Sequence, residues 1–363
     1  MSIPLRQQLG VASYIIGKRL RGVQRYPLVL MLEPLFRCNL ACAGCGKIDY
    51  PEHILDRRLS VEDCLSAVDE CGAPIVSIAG GEPLIHKEMP QIVAGIIARK
   101  RFVYLCTNAL LLQKRIRDYV PSPYFTFNVH LDGNRGRHDA SVGQAGVFDR
   151  AVEAIQLIRQ KGFRVTINCT LFHGESARAA AEFFDFVTGL GVEGITVSPG
   201  FSYVHAPRND VFLERSASKQ LFRNLFKLGR HRGWRLNHSS LYLDFLAGNQ
   251  TYRCTPWGNP TRNVFGWQRP CYLLVDEGHA RSFSALMEDT DWASFGTGRN
   301  PKCANCMAHC GYEPTAVNDT LAHPLKALRV AVRGPRTEGP TAPELPVDYP
   351  VTVTVANPRS IST

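Results

Sequence analysis

Between residues 27 and 200 the sequence alternates short apolar runs with stretches of helical periodicity, six times in succession. Such alternation is typical of βαβ units, in which parallel strands form a sheet and helices cover it. Six units are too few for a closed eight-unit barrel, so the pattern predicts an α/β fold, either a partial, open (β/α)6 barrel or a doubly wound sheet. In both architectures the functional groups lie at the carboxyl ends of the strands.

The same pattern predicts the individual strands and helices. The predicted strands contain the segments YPLVLMLEPLF, PIVSIAGGEP, FVYLCTN, YFTFNVHLDG, FRVTINCTLF and GITVSPG. Helices are predicted at residues 59–72, 88–99, 110–119, 147–161 and 176–190.

The segments that flank this core, residues 27–200, differ from it in composition. Residues 1–26 combine basic residues with leucines and isoleucines at helical spacing, which predicts a basic amphipathic helix. Such a helix either docks on the protein or contacts a membrane interface, and the sequence leaves both open. Residues 201–334 predict a smaller C-terminal substrate module that contains cysteines. The Pro-rich residues 335–363 predict a loosely ordered tail.

Composition restricts the cellular setting and the class of partner. No run of about 18 apolar residues occurs and the N-terminus lacks the apolar block of a signal peptide, so the expected location is the cytoplasm. Because the cytosol keeps thiols reduced, the 12 cysteines favour metal binding or redox chemistry over disulfides. The net charge of +10 favours an acidic partner, such as nucleic acid, a phosphorylated substrate or an anionic membrane surface.

Three cysteines follow the first predicted strand with the spacing C-x3-C-x2-C, at Cys38, Cys42 and Cys45. Three thiolates on one loop can hold a 4Fe-4S cluster and leave one of its irons open to another ligand. The alternative is a zinc knuckle that takes its fourth ligand from a distant residue.

This cysteine motif, together with Gly80-Gly81-Glu82-Pro83 after the second strand, resembles the radical S-adenosylmethionine (SAM) superfamily. The resemblance implies a partial barrel in which SAM binds the open iron, and in which Gly80, Gly81 and Glu82 receive the methionyl amine. It also implies that polar residues on later strand ends hold the ribose and adenine. The candidates for that role are Asn108, His130, Asp132 and Asn168, each of which is alternatively a structural polar group.

A second group of cysteines lies in the C-terminal module, at Cys254, Cys271, Cys303, Cys306 and Cys310. It resembles the auxiliary-cluster domains of some radical SAM enzymes, but lacks the further closely spaced cysteine of their twin-cluster form. One additional iron-sulfur cluster, a structural zinc site and reduced buried thiols all remain open.

Over about residues 4–330 the chain resembles the radical SAM branch of hopanoid biosynthesis. The resemblance rests on the N-terminal segment through the cysteine motif, on AGGEPLIH, YLCTNALLL and HLDG, and on CANCMAHCGYEP. It implies addition of a 5'-deoxyadenosyl radical to the alkene of diploptene, a pentacyclic hydrocarbon, to give adenosylhopane. The partners expected on this interpretation are SAM, an electron donor such as a flavodoxin or ferredoxin, and the inner membrane surface.

Such a reaction requires an apolar pocket and a way to quench the product radical. Cys106 ends the third predicted strand and is a candidate hydrogen-atom donor, although a small buried core residue is the alternative. Aromatic residues of the second half are candidates for the pocket wall: Phe201, Tyr203, Trp234, Tyr242, Phe245 and Trp257. Competing functions are modification of RNA or of a peptide, and a non-catalytic zinc protein. Nucleic acid is the less favoured partner because the basic residues concentrate near the N-terminus.

Overall fold

The structure is a computed structural model that describes residues 3–202 and 205–349. Tyr203 and residues 350–363, the last part of the predicted tail, therefore lie outside the described residues. The helices are α1 (Leu5–Leu20), α2 (Glu52–Leu55), α3 (Val61–Cys71), α4 (Met89–Ala98), α5 (Leu112–Arg115), α6 (Arg135–Val142), α7 (Val147–Gln160), α8 (Ala177–Gly189), α9 (Arg215–Gly229), α10 (Ser240–Leu246), α11 (Phe283–Asp289), α12 (His309–Ala322) and α13 (Pro324–Arg333). The strands are β1 (Val29–Leu32), β2 (Ile75–Ile78), β3 (Phe102–Thr107), β4 (Phe125–His130), β5 (Arg164–Leu171), β6 (Gly194–Pro199), β7 (Thr261–Asn263), β8 (Gly266–Gln268) and β9 (His279–Ala280).

One sheet contains these strands in the order β6-β5-β4-β3-β2-β1-β7-β8-β9. Strands β1 to β6 are parallel, and each lies next to its neighbours in the sequence. The prediction of a partial, open six-unit barrel is therefore confirmed, while the alternative of a doubly wound sheet is wrong because the strand order does not reverse. The sequence did not predict that the C-terminal module extends the sheet, with β7 parallel to β1 and β8 and β9 antiparallel.

The helices differ from the sequence prediction where short segments are involved. The helix predicted at 110–119 is reduced to the single turn α5 and a following turn of 3-10 helix. Helix α6 was not predicted. It begins where the Asn134 side chain accepts a hydrogen bond from the Arg137 N–H, and it ends at Gly143, which has φ of 71°. Its start therefore depends on a capping side chain rather than on an apolar repeat.

The side chains of each strand alternate between two faces of the sheet. Leu30, Val76, Val103, Phe127 and Ile167 pack in the buried core. The residues between them face the interior of the barrel, because successive side chains of a strand point to opposite sides. These inward-facing side chains line two cavities, one at each end of the strands.

Helix α1 crosses the amino-terminal end of the barrel. Its Gln7 Oε1 accepts a hydrogen bond of 3.0 Å from the Tyr104 hydroxyl of β3, and Arg6 lies over the ring of Tyr124, just before β4. Ile15 is completely buried, in a cluster with Tyr26 and Leu28. No helix among the described residues is both long and apolar enough to cross a membrane.

Residues 335–349 contain no helix or strand but are hydrogen-bonded to the rest of the chain. Glu344 forms ion pairs with Arg215 and Lys219 of α9. The Ala342 N–H donates to the Gly248 carbonyl over 2.8 Å. This part of the predicted tail therefore packs along α9 and the loop after α10.

Candidate functional site

The upper cavity, which we define as the cavity at the carboxyl ends of the parallel strands, has a volume of ≈320 Å³. The structure brings every residue of the predicted cluster and SAM sites to its wall. These residues are Cys38, Cys42, Cys45, Gly80, Gly81, Glu82, Asn108, His130, Asp132 and Asn168, and Cys106 joins them. They come from the loop after β1 and from the ends of β2, β3, β4 and β5, so the parallel sheet alone places them together.

The cysteine loop presents three half-buried thiols to the upper cavity. The Cys45 N–H donates to the Cys42 carbonyl over 3.1 Å, which closes a turn between these two ligand positions. Burial raises the pKa of Cys38 to about 11. Metal binding requires thiolates, so assembly of a cluster here would release protons.

The donor set of three thiols suits an iron-sulfur cube. A 4Fe-4S cluster binds its cysteines on different irons and leaves more space between them. Three thiols on one cavity wall are compatible with binding to different irons of one cluster.

Gly80 and Gly81 are required by the backbone that leads to the cysteines. Gly80 has φ of 108°, and a Cβ built on it would lie 2.3 Å from the Leu35 carbonyl oxygen. A Cβ on Gly81 would lie 2.1 Å from the Arg37 carbonyl oxygen. Both distances are too short for any side chain, so this pair allows the second strand end to approach the start of the cysteine loop.

The carboxylate of Glu82 is buried and hydrogen-bonded. Its Oε1 accepts from the Leu84 N–H and the Thr107 hydroxyl at 3.0 and 2.8 Å, and its Oε2 accepts from the Asn108 N–H at 2.8 Å. Burial raises the pKa of Glu82 to about 7, although these hydrogen bonds oppose the shift. A carboxylate has about four acceptor positions, so Glu82 keeps capacity for one further donor, such as an ammonium group.

His130 and Asp132 form an ion pair at the end of β4. The His130 Nε2 lies 2.7 Å from the Asp132 Oδ2, and the Asp132 Oδ1 accepts from the Thr170 N–H over 2.7 Å. Burial acts to raise the pKa of Asp132, but the attraction of His130 and the hydrogen bonds lower it overall. For His130 burial acts to lower the pKa, and Asp132 raises it overall. Since Asp132 is already engaged, His130 is the more accessible partner for a ligand.

Cys106 lies on β3, two residues before Asn108 and in register with Asn128 of β4. Its Sγ accepts a hydrogen bond from the Asn128 side-chain amide over 3.6 Å and lies 3.5 Å from the Ser77 hydroxyl. Burial raises the pKa of this thiol, so it carries its hydrogen at neutral pH. A thiol in this state can supply a hydrogen atom, whereas a thiolate cannot.

Comparison with known proteins agrees with this geometry. Residues 32–187 match the Radical SAM superfamily, and residues 195–330 match a domain of unknown function, DUF3463. We refer to residues 32–187, which match this superfamily, as the radical SAM domain. The chain is similar to mycofactocin maturase MftC of Mycolicibacterium smegmatis, with 30% identity over 145 residues, or 38% of this chain and 36% of that protein. It is 25% identical over 155 residues to Fe-coproporphyrin III synthase of Methanosarcina barkeri, or 42% of this chain and 38% of that protein. The chain thus spans well under half the length of these two relatives.

Solved structures share the fold over most of the chain. SuiB of Streptococcus suis covers 83% of this chain and 76% of its own, with a TM-score of 0.63 and 17% sequence identity. At that identity the similarity shows the fold, and it extends beyond the radical SAM domain into the C-terminal module.

The five cysteines of the C-terminal module converge next to the radical SAM domain. Cys254, Cys271, Cys303, Cys306 and Cys310 all line one cavity of ≈30 Å³, although 56 positions separate the first from the last. Burial raises the pKa of Cys271 to about 11, and the neighbouring Cys303 raises it further. Buried thiols that line one small cavity have the chemistry of a metal site.

A buried ion pair of the radical SAM domain was missed in the sequence. Glu33 follows β1, and its Oε2 lies 3.0 Å from the Lys47 Nζ, two residues beyond Cys45. Both side chains are buried, with 2% and 8% exposed. Glu33 is a carboxylate directly after an apolar strand, which is a signal for a buried ion pair, but its partner could not be read from the spacing.

Aromatic residues of the second half occupy several places. Phe201 lines the upper cavity, as do Phe172, Phe212 and Tyr272, which the sequence did not single out. The other aromatic candidates pack elsewhere in the described chain, in the core or against other helices: Trp234, Tyr242, Phe245 and Trp257.

Proposed function

We propose that this protein is a radical SAM enzyme that adds a 5'-deoxyadenosyl radical to the alkene of diploptene and forms adenosylhopane. The observation that carries the proposal is the position of Cys106, a protonated thiol in the wall of the upper cavity. Addition to an alkene leaves a carbon radical on the product, and that radical must receive a hydrogen atom. A thiol S–H at the cavity wall supplies it within the same enclosed space.

The proposed reaction balances with two electrons and one proton. One electron cleaves the C5'–S bond of SAM and yields methionine and the 5'-deoxyadenosyl radical, and this radical forms a C–C bond with the alkene. The product radical takes the hydrogen atom of Cys106, and a second electron with a proton restores the thiol. A one-electron carrier such as a flavodoxin or ferredoxin is the proposed reductant.

Residues of the upper cavity have proposed roles in this reaction that follow from their positions. When bound, a 4Fe-4S cluster on Cys38, Cys42 and Cys45 supplies the reductive cleavage of SAM. Glu82 is placed to accept a hydrogen bond from the methionyl ammonium, and His130 is placed to contact the nucleoside. We place Gly80, Gly81, Asn108, Asp132 and Asn168 around the same ligand. Phe172, Phe201, Phe212 and Tyr272 provide an apolar wall.

The decisive test is anaerobic incubation of the cluster-loaded protein with SAM, dithionite and diploptene. We expect a product whose mass equals diploptene plus 5'-deoxyadenosine. Cys106→Ala should still cleave SAM but lose the saturated product. Formation of 5'-deoxyadenosine without any adduct would keep the radical SAM chemistry and refute diploptene as the substrate.

Modification of a peptide is the second candidate function. Structures of SuiB bound to its precursor peptide SuiA and of anSMEcpe bound to a peptide share the fold of this chain, with TM-scores of 0.63 and 0.55. The second cysteine group is also compatible with such a role. Crosslinking of a peptide in the upper cavity, without binding of hydrocarbon, would favour this function over the first.

We further propose that the protein works at the cytoplasmic face of the inner membrane, where an apolar substrate is found. Leu5, Leu9, Ile16 and Leu20 of α1 are between 53% and 84% exposed, beside basic residues of the same helix. Apolar and basic side chains together bind anionic membrane surfaces. Binding of the purified protein to anionic vesicles, and weaker binding to neutral ones, is the expected result.

A further inference from the structure

A second cavity, the lower chamber, lies at the amino-terminal end of the barrel and has a volume of ≈450 Å³. Helix α1 covers it with Gln7, Val11 and Ile15, and α12 closes one side with Val317 and Leu321. Inward-facing residues of β1 and β2, among them Met31 and Ser77, form its upper wall. This volume is within the roughly 300–1,000 Å³ typical of small-molecule sites.

The lower chamber adjoins the upper cavity. His309 lines both of them. Cys106 lines the upper cavity, while its hydrogen-bond partners Ser77 and Asn128 line the lower chamber. The proposed hydrogen-atom donor therefore lies at the boundary between the two spaces.

Most polar groups of the chamber wall are bonded to one another. The Tyr104 hydroxyl donates to Gln7, the Asn237 amide donates to Thr196 over 3.3 Å, and the Thr166 hydroxyl donates to Asn128 over 3.0 Å. Few polar groups of the wall are therefore left for a polar ligand.

Of two further polar groups of the wall, one is paired and the other is not. Glu313 accepts from the Ser239 N–H at 2.7 Å and lies 3.0 Å from the His238 Nδ1. The His309 Nδ1 is buried without a hydrogen-bond partner among the described residues. Together with the aliphatic side chains of α1, this wall suits a hydrocarbon rather than a peptide.

The mouth of the chamber is apolar as well. Leu5 and Leu9 line the chamber and are also 68% and 61% exposed to solvent. Exposed leucines at the rim of an apolar cavity favour the arrival of an apolar ligand. From Ile75 in the chamber to Ala79 in the upper cavity is four residues of extended chain, or about 13 Å, so the two cavities lie close together.

We propose that the lower chamber binds the rigid polycyclic body of the hydrocarbon substrate, which passes α1 and reaches the upper cavity with its alkene beside Cys106. This inference rests on the proposed function for the identity of the substrate. It adds a binding site on the opposite end of the barrel from the cluster, and it assigns α1 as the substrate gate.

Two chamber variants and one matched control test the proposal. Val11→Trp on α1 and Val317→Phe on α12 fill the chamber, whereas Ser13→Trp places the same bulky ring on the exposed side of α1. At low diploptene concentration, both chamber variants should form the adduct at least about tenfold more slowly through a higher KM. Substrate-independent cleavage of SAM should be unchanged, and Ser13→Trp should match the wild type. Unchanged KM in both chamber variants would overturn the chamber and leave the proposed function standing.

A labelling experiment on the wild-type protein does not depend on whether a variant folds. A saturated hopane that carries a diazirine should label peptides from residues 5–20 and 309–322 after irradiation. Labelling restricted to other segments would overturn the proposal. Labelling at α1 and α12 without any adduct from diploptene would keep the chamber and refute the proposed reaction.

Discussion

Lys47→Met is the substitution that most directly tests how the cysteine loop is held. The change removes the Lys47 ammonium, which lies 3.0 Å from the Glu33 carboxylate. That carboxylate is only 2% exposed in the structure. At this distance the Coulomb attraction is about 5–6 kcal/mol with an effective dielectric constant of about 20. Breaking a buried pair by removing one partner costs about 3–5 kcal/mol, because the remaining charge is buried without compensation. We expect a loss of free energy of unfolding of this size.

The assay is urea unfolding of the metal-free protein under anaerobic conditions, followed by tryptophan fluorescence. If the urea dependence is about 3 kcal/mol per molar, the midpoint should fall by about 1–2 M. The double variant Glu33→Gln with Lys47→Met replaces both charges and should recover most of the loss, since a neutral pair of similar volume is often tolerated. The reasoning would be refuted by a Lys47→Met protein within about 1 kcal/mol of the wild type. A double variant no more stable than Lys47→Met would refute it as well.

Three other predictions concern the metal sites and the ion pair. Cys42→Ala should lose the iron and the reductive cleavage of SAM together, and a variant with full iron content would exclude Cys42 as a ligand. Cys306→Ala should lower the total metal content, measured by mass spectrometry, and equal metal in variant and wild type would exclude Cys306 as a metal ligand. His130 should titrate above its ordinary pKa of 6.5 in a histidine NMR experiment. Its pairing with Asp132 should therefore stabilise the protein fully below pH 6.5, and progressively less as the pH rises through the raised pKa. In Asp132→Asn the same pKa should fall below 6.5 because burial then dominates, and an unchanged value would show that Asp132 does not set it.

The strands and the site were predictable from the sequence because one physical rule connects them. Period-two alternation and apolar runs identified β1 to β6, and parallel strands bring their carboxyl ends to one edge. Cys38, Glu82, Asn108 and Asp132 therefore met at one cavity, although long stretches of sequence separate them. Helix α6 and strands β7 to β9 were missed because they are too short to show a period, and their positions depend on tertiary contacts.

Partners that are distant in sequence could not be predicted. The ion pair between Glu33 and Lys47 depends on how the cysteine loop folds back over β1, which no local spacing encodes. The convergence of Cys254 with Cys306 likewise depends on the path of the C-terminal module. The lower chamber was missed for a related reason, since its lining comes from single residues of α1, the strands and α12.

Three hydrogen-bonded side chains lie between the two cavities, and their arrangement is better explained by chemistry than by stability. Ser77, Asn128 and Thr166 would stabilise the barrel no less as aliphatic residues, because the net gain from a buried hydrogen bond is only about 0.5–1.5 kcal/mol. Their arrangement has a chemical consequence instead. Thr166 donates to the Asn128 oxygen, which turns the amide N–H groups towards the Cys106 sulfur. A sulfur that accepts a hydrogen bond from this side keeps its own hydrogen available to the cavity, where the proposed product radical would form.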